Sequence, residues 1–174
     1  MVKKICYFGK TAKFLGACFL ILIQSFVPFL ISLYPKQAIA APPPNFVSET
    51  LITNLNEPTS LAFLPNGKML ILERSGMIHL VENGASVVNS TPFLNLTSVT
   101  NTDQGERGLT GIAIDPDFST NGYIYLFYTR NSPLRDRVSR FVVQGDTANP
   151  STETVIWEDN QMAPLWHHGG SIAF

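Results

Sequence analysis

The stretch LAFLPNGKMLI at Leu61–Ile71 is the most informative about the fold, because similar segments follow later in the chain in the same order. An apolar triplet is followed by a Pro-Asn-Gly turn and then by a second apolar run. Asn-Gly between apolar runs is a strong hairpin signal, since both central residues of such a turn need a positive φ. The stretch therefore predicts two short antiparallel strands joined by a tight turn.

The same order of parts appears again downstream. IAIDPDFSTNGYIY at Ile112–Tyr125 repeats the triplet and the following strand around a longer turn, and a third triplet begins at Ile172. The triplets start 51 and then 60 residues apart. A unit of about 40–50 residues with a few short strands is typical of a propeller blade, which buries its faces against neighbouring blades. Two unrelated hairpins are the alternative, because Pro-Asn-Gly turns are common.

Short apolar runs separated by turn residues fill the rest of the chain. No window after residue 41 shows a sustained 3.6-residue apolar period. The sequence therefore predicts an all-β fold in which residues 46–174 form a partial β-propeller of about two blades, with open outer faces. Strands are expected at 61–64, 68–72, 77–81, 112–114, 123–129, 138–143 and 154–157.

The first 40 residues have the composition of an export signal. Four lysines precede residue 14, residues 14–34 hold 16 apolar residues out of 21 and no charge, and Ala38-Ile39-Ala40 forms a small-residue cleavage motif. The apolar run also reaches the length of a membrane span. We expect residues 1–40 to be a cleaved signal peptide or an uncleaved anchor, followed by a stiff, extended Pro-rich segment at 41–45. In both cases the remainder is exported to the periplasm or the extracellular space, and membrane contact is limited to residues 14–34.

The charge balance differs between the leader and the exported part. The formal net charge is -1, but all 13 acidic residues follow residue 40, against seven basic ones there, which gives that part a net charge of −6. A nucleic-acid-binding protein normally presents a basic face, so this class is disfavoured. Both cysteines, Cys6 and Cys18, lie in the leader, so the exported part forms no disulfide within itself.

Two adjacent histidines precede the third triplet. His167 and His168 follow Trp166 and lead into Gly169-Gly170. Loops that lead into a blade often carry site residues, glycines let a ligand or another backbone approach closely, and an imidazole is a natural general base near neutral pH. A loop pair that only bonds backbone carbonyls is the alternative. His79 differs, because its alternating surroundings predict an ordinary strand residue.

A glycine-rich loop at Gln104–Gly111 occupies the equivalent place before the second triplet. Glu106 in this loop can orient a substrate hydroxyl or a histidine. The alternative for Glu106-Arg107 is a solvated ion pair. Asp115-Pro116-Asp117 lacks the acid spacing of a calcium loop and predicts a turn.

A basic cluster follows the second aromatic strand. It consists of Arg135, Asp136, Arg137 and Arg140. Charges alternate with apolar residues across Arg137–Phe141, and charged residues deter pairing at the edge of a sheet. The pattern therefore predicts an exposed strand edge.

The ordered set of motifs resembles the start of the glucose/sorbosone dehydrogenase family, which are soluble, exported sugar dehydrogenases that use pyrroloquinoline quinone (PQQ). The set comprises ERGLTGIA (106–113), DPDF (115–118), NGYIY (121–125), RVSRF (137–141) and HHGGSIAF (167–174). The resemblance covers roughly residues 46–174. It implies a six-bladed β-propeller with PQQ and calcium on its top face.

The resemblance also implies residue roles. His167 is similar to the family's catalytic base, which takes the proton of the anomeric hydroxyl as hydride passes to PQQ and the sugar becomes a lactone. Glu106, Trp166 and His168 are then expected to bind substrate. Glucose-oxidising members have Gln and Asp where this chain has Glu106 and Trp166, so the sugar need not be glucose.

The residues that hold PQQ and calcium in the family come from later blades. We therefore expect no cofactor-binding and no metal-ligating residue within this chain, which looks like an incomplete, inactive N-terminal part of such an enzyme. Two other functions stay open. One is a non-enzymatic extracellular β-propeller that binds a partner. The other is a calcium-dependent lactonase-type propeller, which needs carboxylates converging on a central metal, and Glu106 is its only plausible donor here.

Overall fold

A computed structural model describes residues 42–174, and the predicted leader at 1–40 lies outside the described residues. The chain divides into two compact units, Met1–Ser48 and Glu49–Phe174. Within residues 42–174 no helix is long and apolar enough to cross a membrane.

The described part of the first unit contains a turn where an extended segment was predicted. The Phe46 amide donates to the Pro43 carbonyl at 3.0 Å, and Asn45 has a φ of 71°. Proline followed by a residue with positive φ is the pattern of a type II turn, which Asn can adopt. The extended prediction was therefore wrong, because the asparagine after the prolines reverses the chain.

The second unit begins with a four-stranded antiparallel sheet. Its strands lie in sequential order and are β1 Pro58–Phe63, β2 Met69–Glu73, β3 Met77–Val81 and β4 Leu94–Asn95. The predicted Pro-Asn-Gly turn joins β1 to β2, and the Gly67 amide donates to the Leu64 carbonyl at 2.9 Å, but Asn66 lacks the positive φ that was predicted for both Asn and Gly. Gly67 has a φ of 84°, which explains why glycine stands there.

A second antiparallel sheet follows. Its strands are β5 Leu109–Ile114, β6 Tyr123–Arg130, β7 Arg135–Gln144, β8 Thr147–Ala148 and β9 Thr154–Glu158. The ten-residue strand β7 pairs with β6 along one side and with both β8 and β9 along the other. The longer turn of the repeat forms the short helix α1, Phe118–Asn121, and a 3₁₀ turn covers Pro150–Thr152.

The repeat predicted from the sequence is present in the fold. Leu61–Phe63 lies in β1 and Ile112–Ile114 lies in β5, so each triplet belongs to the first strand of its sheet. All seven predicted strands form, with bounds within a few residues. Residues 172–174, the third triplet, carry no strand.

The core lies between the two sheets. Thr59 Oγ1 donates to the Leu109 carbonyl at 2.7 Å, and the Leu109 amide donates to the Arg74 carbonyl at 3.0 Å, so hydrogen bonds also join the sheets. Full burial of one such apolar side chain stabilises the fold by about 1.5–3 kcal/mol. The main buried side chains of this core are Leu70, Leu72, Ile78, Leu80, Leu94, Leu109, Ile124, Leu126, Tyr128 and Phe141.

Strand β7 is an interior strand, so the predicted exposed basic edge was wrong. Arg137 is only 6% exposed. Its guanidinium donates to Glu153 Oε1 at 3.1 Å and to Glu158, with Nε 2.8 Å from Glu158 Oε2. Buried charges persist when they are paired, and these partners come from β9 and the residue before it, whose pairing with β7 is not visible in the local sequence pattern.

Candidate functional site

Two loops meet at the end of the second sheet where β5 begins. The Glu106 amide donates to the Leu165 carbonyl at 2.9 Å. A Cβ on Gly105 would lie 1.9 Å from the Leu165 oxygen, and a Cβ on Gly111 would lie 1.8 Å from the Gly170 oxygen. Gly105 in the first loop and Gly111 in β5 are therefore needed for the close approach of the backbone at 165–170.

His167 and Glu106 are brought together by this contact. Glu106 Oε2 accepts a hydrogen bond from the His167 backbone amide at 2.7 Å. The carboxylate thus holds the main chain of His167. His167 has a φ of 66° and an exposed position. A left-handed backbone at a residue other than glycine costs energy and marks sites where surrounding contacts impose the conformation.

Trp166 and His168 flank His167 but lie in different environments. Trp166 is 56% exposed and adds an aromatic surface beside the histidine. The side chain of His168 is only 2% exposed. Its Nδ1 lies 2.9 Å from Asp136 Oδ2, and its Nε2 lies 2.9 Å from the Pro164 carbonyl oxygen. His167 is therefore exposed, whereas the ring of the adjacent His168 is buried.

Arg107 is a site residue whose role the sequence did not reveal. It is buried, and its partner is Asp103 rather than Glu106, with Nη1 3.0 Å from Asp103 Oδ1. Its Nη2 donates to the Ala163 carbonyl at 2.6 Å and its Nε to the Pro164 carbonyl at 2.9 Å. The solvated Glu106-Arg107 ion pair is therefore not formed.

Asp103 is affected electrostatically by this contact. The hydrogen bond from Arg107 holds the pKa of the Asp103 carboxyl below its ordinary value.

Asp136 is the other residue that the sequence pattern did not single out as part of the site. Its alternation with Arg137 is visible in the sequence, but its histidine partner lies 32 residues away.

The two remaining candidates, His79 and Asp115, make contacts that stabilise the fold. His79 lies in β3 with Nε2 3.2 Å from Glu73 Oε1, which agrees with an ordinary strand residue. Asp115 Oδ1 accepts from the Asp117 amide and from Asn121 Nδ2, both at 2.9 Å. The hydrogen bond from Asn121 is the main cause that lowers the pKa of Asp115. The predicted Asp-Pro-Asp turn is confirmed.

An open cavity of about 460 Å³ adjoins the loops. Its lining includes Ser60 of β1, Thr110 of β5 and the segment 168–172. Thr110 Oγ1 donates to the Gly169 carbonyl at 3.1 Å, which fixes one wall. Hydroxyls and backbone groups dominate this lining, as suits a polar ligand.

Within residues 42–174 no three His, Cys, Asp or Glu side chains converge to hold a metal ion. Arg107 is buried and bonded to Asp103 and to the Ala163 and Pro164 carbonyls, so its charge is paired within the two loops.

The two antiparallel sheets, with their first strands side by side and loops meeting at one end, are the arrangement of neighbouring blades in a β-propeller. The chain belongs to the Glucose / Sorbosone dehydrogenase family, whose model matches residues 55–174.

Individual relatives agree with this assignment. Quinoprotein glucose dehydrogenase B of Acinetobacter calcoaceticus is 30% identical over 144 residues, which cover 81% of this chain and 30% of that protein. The chain spans about a third of the length of the curated relatives it matches.

Solved structures agree as well. The PQQ-bound form of aldose sugar dehydrogenase from Streptomyces coelicolor has a TM-score of 0.58 and 27% identity, over 74% of this chain and 39% of that one. The soluble aldose sugar dehydrogenase from Escherichia coli in its apo form, with a TM-score of 0.61 and 24% identity over 72% of this chain and 37% of that one, supports the fold alone. The predictions of an all-β partial propeller and of the family are confirmed.

Proposed function

We propose that this chain carries the proton-accepting part of an exported, PQQ-dependent aldose sugar dehydrogenase, with His167 as the general base. The observation that supports this most strongly is the setting of His167. His167 is exposed and has a left-handed backbone, and its amide donates to Glu106. The chain that carries it belongs to this family. Among the described histidines, His79 and His168 both have rings engaged by carboxylates.

The chemistry asked of His167 is a proton transfer. Oxidation of an aldose to a lactone removes a hydride from the anomeric carbon and a proton from its hydroxyl. A ring nitrogen of His167 accepts that proton, which a histidine does well near neutral pH. PQQ, when bound, supplies the hydride-accepting chemistry.

Glu106 and Trp166 are proposed to shape the sugar site. A carboxylate has about four lone-pair positions, and the bond to the His167 amide uses one of them. The others can accept sugar hydroxyls, while Trp166 offers an exposed apolar face. His168 was expected to bind substrate as well, but the burial of its ring favours a supporting position.

Calcium and export belong to the same proposal. The family resemblance implies calcium beside PQQ in the whole protein, and residues 1–40 match an export signal. N-terminal sequencing of the mature protein tests the leader, with cleavage expected after Ala40. A chain that keeps Met1 and pellets with membranes indicates an anchor instead.

A pair of matched substitutions tests the assignment of His167. His167→Gln removes the base but keeps a polar side chain, and His79→Gln makes the same chemical change in β3. In a full-length protein with added PQQ and calcium, dye-coupled sugar oxidation is measured for both. Loss of general base catalysis should lower kcat by about 10²–10⁴-fold in His167→Gln only.

The same assay separates the rival functions. Turnover by His167→Gln equal to that of the parent protein would sink the assignment. No sugar oxidation by the parent protein would favour the extracellular binding module. Hydrolysis of a lactone that depends on calcium alone would favour the lactonase-type propeller.

A further inference from the structure

The second histidine of the pair turns inward, although the residues before it are exposed. The side chain of His168 is 2% exposed, whereas Trp166 and His167 lie at the surface. A polar ring is buried at this level when its nitrogens have partners. The ring of His168 therefore belongs to the framework beneath the loop.

Both nitrogens of His168 face acceptors. Nδ1 lies 2.9 Å and 3.1 Å from the two carboxylate oxygens of Asp136, and Nε2 lies 2.9 Å from the Pro164 carbonyl oxygen. Each nitrogen therefore has a neighbour of its own, and which nitrogen donates depends on the tautomer of the ring. Hydrogen bonds to charged groups are shorter and stronger than neutral ones.

The carboxylate that receives His168 is itself fixed by the sheet. Asp136 belongs to β7 and is 7% exposed, and Thr129 Oγ1 on the paired strand β6 donates to its Oδ1 at 2.6 Å. A continuous set of hydrogen bonds thus runs from β6 through Asp136 and His168 to Pro164. It ties the loop to two strands of the second sheet.

Arg107 reaches the same loop carbonyl from the opposite loop. Its Nε donates to the Pro164 carbonyl at 2.9 Å, and His168 Nε2 lies 2.9 Å from the same oxygen. A carbonyl oxygen has two lone pairs and can accept both donors. The short stretch from Pro164 to His168, which contains His167, is therefore held at both ends.

We propose that His168, through Asp136, is a positioning residue that fixes the backbone of His167 in its left-handed conformation. This inference rests on the proposed role of His167 as the base. A misplaced base loses catalytic efficiency, since a displacement of about 1 Å can cost on the order of 10²-fold in rate.

Three substitutions of His168 distinguish the effects of its two hydrogen bonds, to Asp136 and to Pro164. In His168→Asn the side-chain amide can replace Nδ1 and keep the bond to Asp136. In His168→Gln it can replace Nε2 and keep the bond to Pro164. His168→Ala keeps neither. His79→Ala, which removes a histidine–carboxylate contact from the first sheet, is the matched control.

The first measurement is amide hydrogen exchange in the 174-residue chain. The protection of the His167 amide, which donates to Glu106, should fall by about tenfold or more in His168→Ala and by less in the Asn and Gln variants. The amides of β2 and β3 should keep their protection. His79→Ala should leave the His167 amide unchanged.

The second measurement is sugar oxidation by the full-length protein. A positioning role predicts that His168→Ala lowers kcat by about tenfold or more while the sugar KM stays within about twofold, with partial rescue in Asn or Gln. Unchanged protection of the His167 amide in His168→Ala, or changed protection with unchanged kcat, overturns the proposal. If His167→Gln itself keeps full turnover, the proposed function fails while the exchange experiment still tests the contact.

Discussion

At the scale of single residues, ionisable side chains that are partly buried have shifted pKa values where hydrogen bonds connect them. Tyr128, Glu153, Ser139 and Arg137 form a hydrogen-bonded group in the second sheet, with the Tyr128 hydroxyl 2.6 Å and the Ser139 hydroxyl 2.7 Å from Glu153 Oε1. Burial, followed by the bond to Glu153, raises the pKa of Tyr128 to about 12. Burial alone would raise the pKa of Glu153, but the hydrogen bonds from Tyr128, Ser139 and Arg137 hold it below its ordinary value.

The raised pKa of Tyr128 predicts a loss of stability in alkali. A group whose pKa is higher in the folded state binds more protons there, so its contribution is complete below about pH 10 and is lost as the pH rises toward about 12. Denaturant unfolding of the 174-residue chain at a series of pH values measures this slope. Tyr128→Phe should flatten it between pH 10 and 12, and an unchanged slope would contradict the prediction.

The lowered pKa of Glu153 predicts the opposite sign in acid. Its contribution is complete above the ordinary value of 4.5 and is lost as the pH falls through the lower folded value. Glu153→Gln should lower the free energy of unfolding at neutral pH by about 1.5–3 kcal/mol, because bonds to a charged group are lost. It should also lose less stability than the parent chain below pH 4.5, and an equal loss in both proteins would contradict this.

At the scale of elements, close backbone contact connects the two site loops. Gly111 lies where the register of β5 against β6 shifts, and its missing side chain leaves room for the Gly170 carbonyl. Glycine within a strand often marks a shift of this kind or the approach of another backbone. A second backbone contact, from the Glu106 amide to the Leu165 carbonyl, brings Glu106 to the amide of His167.

A side chain at Gly111 should displace the loop that bears His167. In Gly111→Ala the new Cβ would lie 1.8 Å from the Gly170 oxygen, so the loop must move. NMR should show a shifted or lost His167 amide signal while β2 and β3 keep their spectrum. Gly84→Ala is the control, because that position has a positive φ but no atom within 4 Å, and it should not affect His167.

Most of the strands, but only part of the candidate site, could be predicted from the sequence. The Asn-Gly turn, the alternating strands and the repeated triplets depend on neighbouring residues, so their pattern predicted the strands and the loops that meet. Arg137, Asp136 and Arg107 depend on partners far along the chain, such as Glu158 and Pro164. Local alternation cannot show which strand pairs with β7, and for this reason a buried charge was mistaken for an exposed edge.

At the scale of the whole molecule, the first sheet carries exposed apolar side chains among the described residues 42–174. Leu61 is 55% and Phe63 is 64% exposed on β1, and an open apolar cavity of about 400 Å³ lined by Leu61, Met69 and Ile71 adjoins them. Exposed apolar surface of this kind favours association with other surfaces.

The exposed face predicts self-association of the 174-residue chain. Phe63→Lys places a charge in it and should lower static light scattering at micromolar concentration, because charged residues oppose association of apolar faces. Val87→Lys is the control, since Val87 is 69% exposed and lies outside the strands. An equal decrease in both variants would show that added charge, rather than this face, is responsible.

Chemical rescue of a variant that lacks the His167 imidazole tests whether His167 is the general base. His167→Gly removes the imidazole and suits the left-handed backbone at φ 66°, which glycine adopts without strain. The full-length variant, supplied with PQQ and calcium, is assayed for sugar oxidation with increasing concentrations of added imidazole. If His167 is the base, turnover without imidazole should be at least about 10²-fold below that of the parent protein, and it should rise as imidazole replaces the missing base. Turnover equal to that of the parent protein in the absence of imidazole would contradict the account.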